Sequence, residues 1–147
     1  MLRPTFARPL GRLLAVALPL YFAWEMAQAP FFTGMPAGWV KATLMCAQAT
    51  LGDGVLVAAV AIAGTLLYRD RRWFVPPAPL RYVVAVVVGV ALQIAVEWVM
   101  VYRLDRWGYA SDQPILPIVG LGILPVLQPI VLLPLTFWLT ARWEGTR

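Results

Sequence analysis

The sequence contains no histidine and no asparagine, and it has only one serine, one lysine and one cysteine. Without histidine, Ser-His-Asp catalysis, Cys-His catalysis, histidine-ligated haem and histidine-containing zinc sites are excluded. The single cysteine, Cys46, cannot form an intramolecular disulfide. It has no neighbouring lysine or histidine to stabilise a thiolate, so we interpret it as a small core residue.

Charged residues are also scarce. They make up 13% of the chain, whereas about a quarter is usual in soluble domains. Hydrophobic residues make up 61%, and the mean hydropathy is +0.76. The net charge of +5 comes mostly from basic residues that flank apolar runs, which is typical of membrane proteins. The sequence therefore predicts a lipid bilayer as the partner, and no nucleic acid.

Four apolar runs are long enough to cross a hydrocarbon core of about 30 Å, which takes about 20 helical residues. They cover roughly residues 10–29, 41–68, 80–103 and 118–141. The connections are short, so we predict an all-α integral membrane protein with a single transmembrane domain over residues 1–147. The Gly52-Asp53-Gly54 triplet predicts a bend in the second helix. Pro125, Pro129 and Pro134 predict a kink in the fourth.

Basic residues are distributed unequally between the two ends of the predicted bundle. Nine lie on one side: Arg3, Arg8, Arg12, Arg69, Arg71, Arg72, Arg81, Arg142 and Arg147. Three lie on the other: Lys41, Arg103 and Arg106. Because basic residues are enriched on the cytoplasmic side, we expect both termini in the cytoplasm. The expected location is a bacterial inner membrane.

The N-terminus has a second interpretation, a cleaved signal peptide. Basic residues, the apolar run 13–24 and the small residues of Ala27-Gln28-Ala29 fit that pattern. Pro30 directly after the cleavage position opposes it, as does the apolar Phe31-Phe32 that follows. Cleavage would remove Glu25.

Three carboxylic acids, Glu25, Asp53 and Glu97, lie inside the predicted helices. Each costs about 2.5 to 3.5 kcal/mol to insert, so their presence indicates a function. At about 1.5 Å per residue, Glu25 and Glu97 lie about 6 to 9 Å below the outer end, and Asp53 and Gln128 about 15 to 18 Å below it. We predict Glu25 and Glu97 as a catalytic acid/base pair, with Asp53 either tuning them or holding a divalent cation.

Further polar side chains share helical faces with these acids or follow the third helix. We predict that they bind substrate in a polar pocket in the outer half of the bundle, under a lid formed by the loop. They are Gln28, Gln93, Gln128, Arg103, Arg106, Trp107 and Tyr109. The arginines would hold an anionic group. The alternatives are interhelical hydrogen bonding for the acids, snorkelling for the arginines and an interfacial belt for the aromatic residues.

A stretch in the second half of the chain combines acidic, aromatic, basic and proline residues. It comprises Glu97-Trp98, Arg106-Trp107-Gly108-Tyr109, Pro114, Pro134-Leu135 and Trp138. This stretch resembles part of the membrane-embedded carotenoid hydratases and cyclases. Those enzymes protonate polyenes with acidic side chains, so the resemblance implies an isoprenoid substrate.

Three functions remain open from the sequence. The first is an enzyme that modifies a lipid or isoprenoid by acid/base chemistry. The second is a transporter subunit in which the acids and Gln128 form a proton or cation path. The third is a non-catalytic assembly subunit, in a bundle small enough to form homo-oligomers. The inner half offers only Thr65, Thr136 and Thr140 as polar groups, which favours a pocket open to one side and hence the enzyme.

Overall fold

A computed structural model describes residues 4–145 of the chain, with side chains from residue 8 onward. Arg3 and Arg147, which contribute to the orientation argument, lie outside the described residues. The structure is mostly helical, at 74%. Four of its helices are long and apolar enough to cross a membrane, which confirms the predicted number.

The four helices are α1 (Pro4–Gln28), α2 (Trp39–Tyr68), α3 (Pro79–Trp98) and α4 (Ile123–Gly145). A 3-10 turn, Ala29–Phe31, extends α1, and a π-helical turn, Val99–Arg103, extends α3. Pro79 begins α3, where a missing backbone N–H costs no hydrogen bond.

Two helices begin away from their predicted positions. The first begins at Pro4 rather than at residue 10. The fourth begins at Ile123 rather than at residue 118, because the preceding residues form a β-hairpin. Ile115–Leu116 (β3) pairs antiparallel with Leu121–Gly122 (β4).

The turn of that hairpin explains why the apolar sequence before Ile123 is not helical. Gly120 has a φ of +67°, in the left-handed region that favours glycine. The late start of α4 places Pro125 in the first turn, where it interrupts no backbone hydrogen bond, and leaves only Pro129 and Pro134 in the interior. The kink at these prolines remains a prediction, and so does the bend in α2, which is continuous through Gly52-Asp53-Gly54.

A second short ladder joins the loops that follow α1 and α3. Phe32–Thr33 (β1) pairs antiparallel with Gly108–Tyr109 (β2). Both ladders lie at the end of the bundle where α1 and α3 end and α2 and α4 begin, which we call the strand end. The opposite end, with the arginine-rich connection between α2 and α3, is the basic end. The all-α prediction missed these strands because each has only two residues.

The helices pack in a square. Helix α1 packs against α2 and α4, and α3 packs against the same two helices. Consequently α1 faces α3, and α2 faces α4, across the axis of the bundle. Helices α3 and α4 are in contact at Gly89, which lies against the side chain of Leu133.

The basic half of the bundle contains an aromatic core. The connection between α2 and α3 inserts Trp73 and Phe74 among the helices, where both are buried. The indole N–H of Trp73 donates to the backbone oxygen of Ala61 over 3.1 Å. The centroid of the Trp73 ring lies 4.9 Å from the centroid of the Phe137 ring. This half of the protein is therefore filled by packed apolar side chains.

Candidate functional site

Two acids from different helices share one amide. Gln128 of α4 donates from Nε2 to Oε1 of Glu25 on α1 over 3.1 Å, and to Oδ2 of Asp53 on α2 over 3.0 Å. The two carboxyl groups also interact directly with each other. Gln128 is 1% exposed. We call Glu25 and Asp53 the acid pair.

The remaining partners of the acid pair come from one face of α1. Gln28 donates from Nε2 to Oε1 of Glu25 over 2.7 Å, and it accepts the indole N–H of Trp24 over 3.0 Å. These residues lie three or four positions apart, so they share a face of the helix. The hydroxyl of Tyr21 lies near Asp53, fully buried, and has no hydrogen-bond partner among the described residues.

Glu97 is held by the loop between α3 and α4. Its Oε1 accepts the indole N–H of Trp107 over 3.2 Å and the hydroxyl of Tyr109 over 2.8 Å. Tyr109 is positioned by its pairing with Phe32 in the first ladder. Burial raises the pKa of Tyr109, and the nearby Glu97 raises it further, so the phenol stays protonated and continues to donate. The loop therefore contacts Glu97 through two side chains, and its role as a lid remains a prediction.

The hydrogen bonds of the structure pair the three acids differently from the two depth layers that the sequence predicted. Glu97 lies near enough to interact electrostatically with both members of the acid pair. Among the hydrogen bonds of the described residues, however, Glu25 is joined to Asp53 through Gln128, and no bond joins it to Glu97. The catalytic roles assigned to these acids remain predictions.

Helix direction brings Glu25 to the level of Asp53 and Gln128. Side chains on a helix tilt toward its N-terminus. Because α1 ends at the strand end, the side chain of Glu25 tilts away from that end. Because α2 and α4 begin there, Asp53 and Gln128 tilt toward it. The three polar groups therefore converge on one level. Because α3 runs parallel to α1, the same tilt acts on Glu97, which differs in being bonded to the loop.

The other predicted binding residues separate into two groups. Gln93 is buried on α3, one turn before Glu97. Arg103 and Arg106 are exposed, and within the part of the chain that the structure describes neither forms an ion pair. The structure therefore places the arginines outside the buried polar cluster.

The burial of one polar residue was not predicted from the sequence. Gln113, in the loop between α3 and α4, is 4% exposed. A lone glutamine in a loop carries no pattern that predicts burial. We use the name strand-end site for Glu25, Asp53, Glu97, Gln28, Gln128, Trp107, Tyr109 and Gln113.

Within the part of the chain that the structure describes, no three Cys, Asp or Glu side chains are grouped so that they could hold a metal ion. Comparison with known proteins gives no match to any family model, curated protein or solved structure. The resemblance to carotenoid hydratases and cyclases therefore rests on the residues quoted above.

Proposed function

We propose that this protein binds a lipid or isoprenoid-like molecule at the strand end and modifies it by acid/base chemistry. The observation that carries the proposal is the bridge from Gln128 to Glu25 and Asp53, which brings together two acids from two helices. Ionisable groups inside a membrane bundle are costly, and two of them on one amide favour a functional site.

The acid pair has the properties of a proton donor and acceptor. Two carboxyl groups in contact, away from water, do not both ionise easily, so the pair holds one proton between them. The protonated member gives its proton to the substrate, and the carboxylate removes another. The site then returns to its starting state, so the pair suits migration of a double bond or a related rearrangement.

Glu97 has a different role in this proposal. Hydrogen bonds from Trp107 and Tyr109 hold its carboxyl group in a fixed position, with its oxygen atoms near the acid pair. A positive charge that develops on the substrate during protonation is stabilised there.

The transporter alternative is less well supported. A path across the protein needs hydrophilic groups along its whole length. The basic half is instead occupied by Trp73, Phe74 and Phe137, which are all buried. This supports a site that opens to one side only.

The assembly-subunit alternative requires a direct test, because hydrogen bonds between helices also hold structural bundles together. The protein should be purified gently and its bound lipids compared with those of the source membrane by mass spectrometry. We expect one lipid or isoprenoid to be enriched with the wild-type protein. Glu25→Gln and Asp53→Asn keep the shape of each side chain but remove the acid, so they should accumulate the unconverted molecule.

Asp112→Asn is the matched control, because it makes the same chemical change at an exposed position of the loop. Its bound lipids should equal those of the wild type. If the wild type and all three variants carry only the bulk membrane lipids, the acids hold helices together and the proposed function is wrong.

A further inference from the structure

Gln113 is buried with its hydrogen-bonding capacity unused. Within the described part of the chain, neither its Nε2 nor its Oε1 has a partner. The amide lies against Gly122 of β4, where a Cβ atom would be 2.3 Å from Nε2. A buried polar atom without a partner is destabilising. A carboxamide that lacks both partners therefore indicates a position where another molecule binds.

This position adjoins the Glu97 side of the strand-end site. The same Cβ position on Gly122 would lie 2.9 Å from Cε1 of Tyr109. The hydroxyl of Tyr109 in turn donates to Glu97 over 2.8 Å. Gln113 therefore lies next to the ring of Tyr109, whose hydroxyl binds Glu97.

The unused atoms define the chemistry of the missing partner. A carboxamide presents a donor and an acceptor side by side, so its partner must accept one hydrogen bond and donate another. A hydroxyl group does both. A fully ionised phosphate or carboxylate offers only acceptors, and an ammonium group offers only donors.

Charge also argues against an anionic partner. The ionisable acids of the strand-end site are Glu25, Asp53 and Glu97, whereas Arg103 and Arg106 are exposed. A phosphate beside Gln113 would be repelled by the acids. A neutral headgroup avoids this cost.

We propose that Gln113 binds the hydroxyl headgroup of a long-chain alcohol, with both amide atoms bonded to that hydroxyl. The inference rests on the proposed function, because it names the headgroup of the lipid or isoprenoid-like molecule. Gln113 is then a binding residue that places the alcohol next to Glu97, and the acid pair acts farther along the chain of the ligand.

Three ligands that differ only in their headgroup test this assignment: farnesol, farnesylamine and farnesyl phosphate. Each is titrated into the purified full-length protein in one detergent, and binding is followed by native mass spectrometry. We expect the wild type to bind farnesol most tightly. Gln113→Leu should weaken farnesol binding about tenfold, which corresponds to about 1.4 kcal/mol. Dodecanol serves to distinguish a straight-chain alcohol from an isoprenoid one.

Gln48→Leu is the matched control, since Gln48 is exposed on α2 and the substitution is the same. It should leave farnesol binding unchanged. Gln113→Leu removes an unpaired buried amide, so its thermal stability without ligand should equal or exceed that of the wild type. Gln113→Glu, which keeps the shape but loses the donor, provides a second variant and should also weaken farnesol binding.

The outcomes separate this inference from the proposed function. Tightest binding of farnesyl phosphate, equal binding of all headgroups, or unchanged farnesol affinity in both Gln113 variants would overturn the role of Gln113 and leave the proposed function standing. A wild-type protein that binds none of these ligands contradicts the proposed function itself.

Discussion

Gln128 and Asp53 are joined by a hydrogen bond of 3.0 Å across the axis of the bundle, between two helices on opposite corners of the square. The bond is buried. It connects α2 and α4 directly at the level where Glu25 also approaches from α1. Any change to one of these three residues therefore alters the environment of the other two.

The hydrogen bond between Gln128 and Asp53 predicts that substitutions at these two residues have non-additive effects on stability. Gln128→Leu removes the shared donor from two acids and should lower the free energy of unfolding by about 1 to 3 kcal/mol. Asp53→Leu should be less destabilising, because it also removes a buried carboxyl group. In a double-mutant cycle measured by unfolding in detergent, we expect a coupling energy of about 0.5 to 2 kcal/mol. Additive effects would show that the two side chains are energetically independent.

The aromatic core of the basic half predicts a strong effect at Gly64. A Cβ atom there would overlap Cε2 of Trp73, whose ring is buried in contact with those of Phe74 and Phe137. Gly64→Ala should destabilise the protein by about 1 to 3 kcal/mol. Gly52→Ala is the matched control on the same helix, with no atom within 4 Å. It should be neutral or stabilising by up to about 1 kcal/mol. Thermal unfolding of both variants measures the difference, and equal midpoints would contradict this packing.

The end of α4 is held by an ion-pair cluster. The buried carboxylate of Glu144 lies 2.8 Å from Arg72 and 3.5 Å from Arg12. Glu144→Gln should cost about 1 to 2 kcal/mol, less than a fully buried pair because Arg72 is half-exposed. Asp70→Asn changes an exposed pair with a distance of 3.8 Å to Arg81, and it should stay within about 0.5 kcal/mol of the wild type. Equal stability of the two variants would argue against a structural role for Glu144.

The distribution of basic residues predicts the orientation in the membrane. Because nine basic residues lie on one side and three on the other, we expect both termini in the cytoplasm. Reporter fusions after Arg72 and after Asp112 should therefore report cytoplasmic and extracytoplasmic positions, respectively. An extracytoplasmic signal from the Arg72 fusion would reverse the orientation, and the strand-end site would then open toward the cytoplasm.

Much of the architecture follows from the sequence. Four apolar runs of sufficient length predict four spanning helices, and the structure contains four helices of that kind. The boundaries of α2 and α3 lie close to the predicted ones, because polar, glycine and proline residues flank those runs. The start of α4 was not predictable in this way. Apolar residues 118–122 suit a helix or a strand equally well by hydropathy, and the pairing of Ile115 with Gly122 decides between them.

Most of the polar residues at the site could also be identified from the sequence, because acids and glutamines are rare within apolar helices. Their grouping was decided by the tertiary structure. The predicted depths placed Glu25 and Glu97 in one layer. In the folded bundle Gln128 bonds to both Glu25 and Asp53, whereas Glu97 bonds to Trp107 and Tyr109 of the loop. The burial of Gln113 depends on the fold of its loop against Gly122, a contact between residues whose positions no helical periodicity relates. Composition and periodicity thus determine which groups enter the membrane, and packing determines which of them meet.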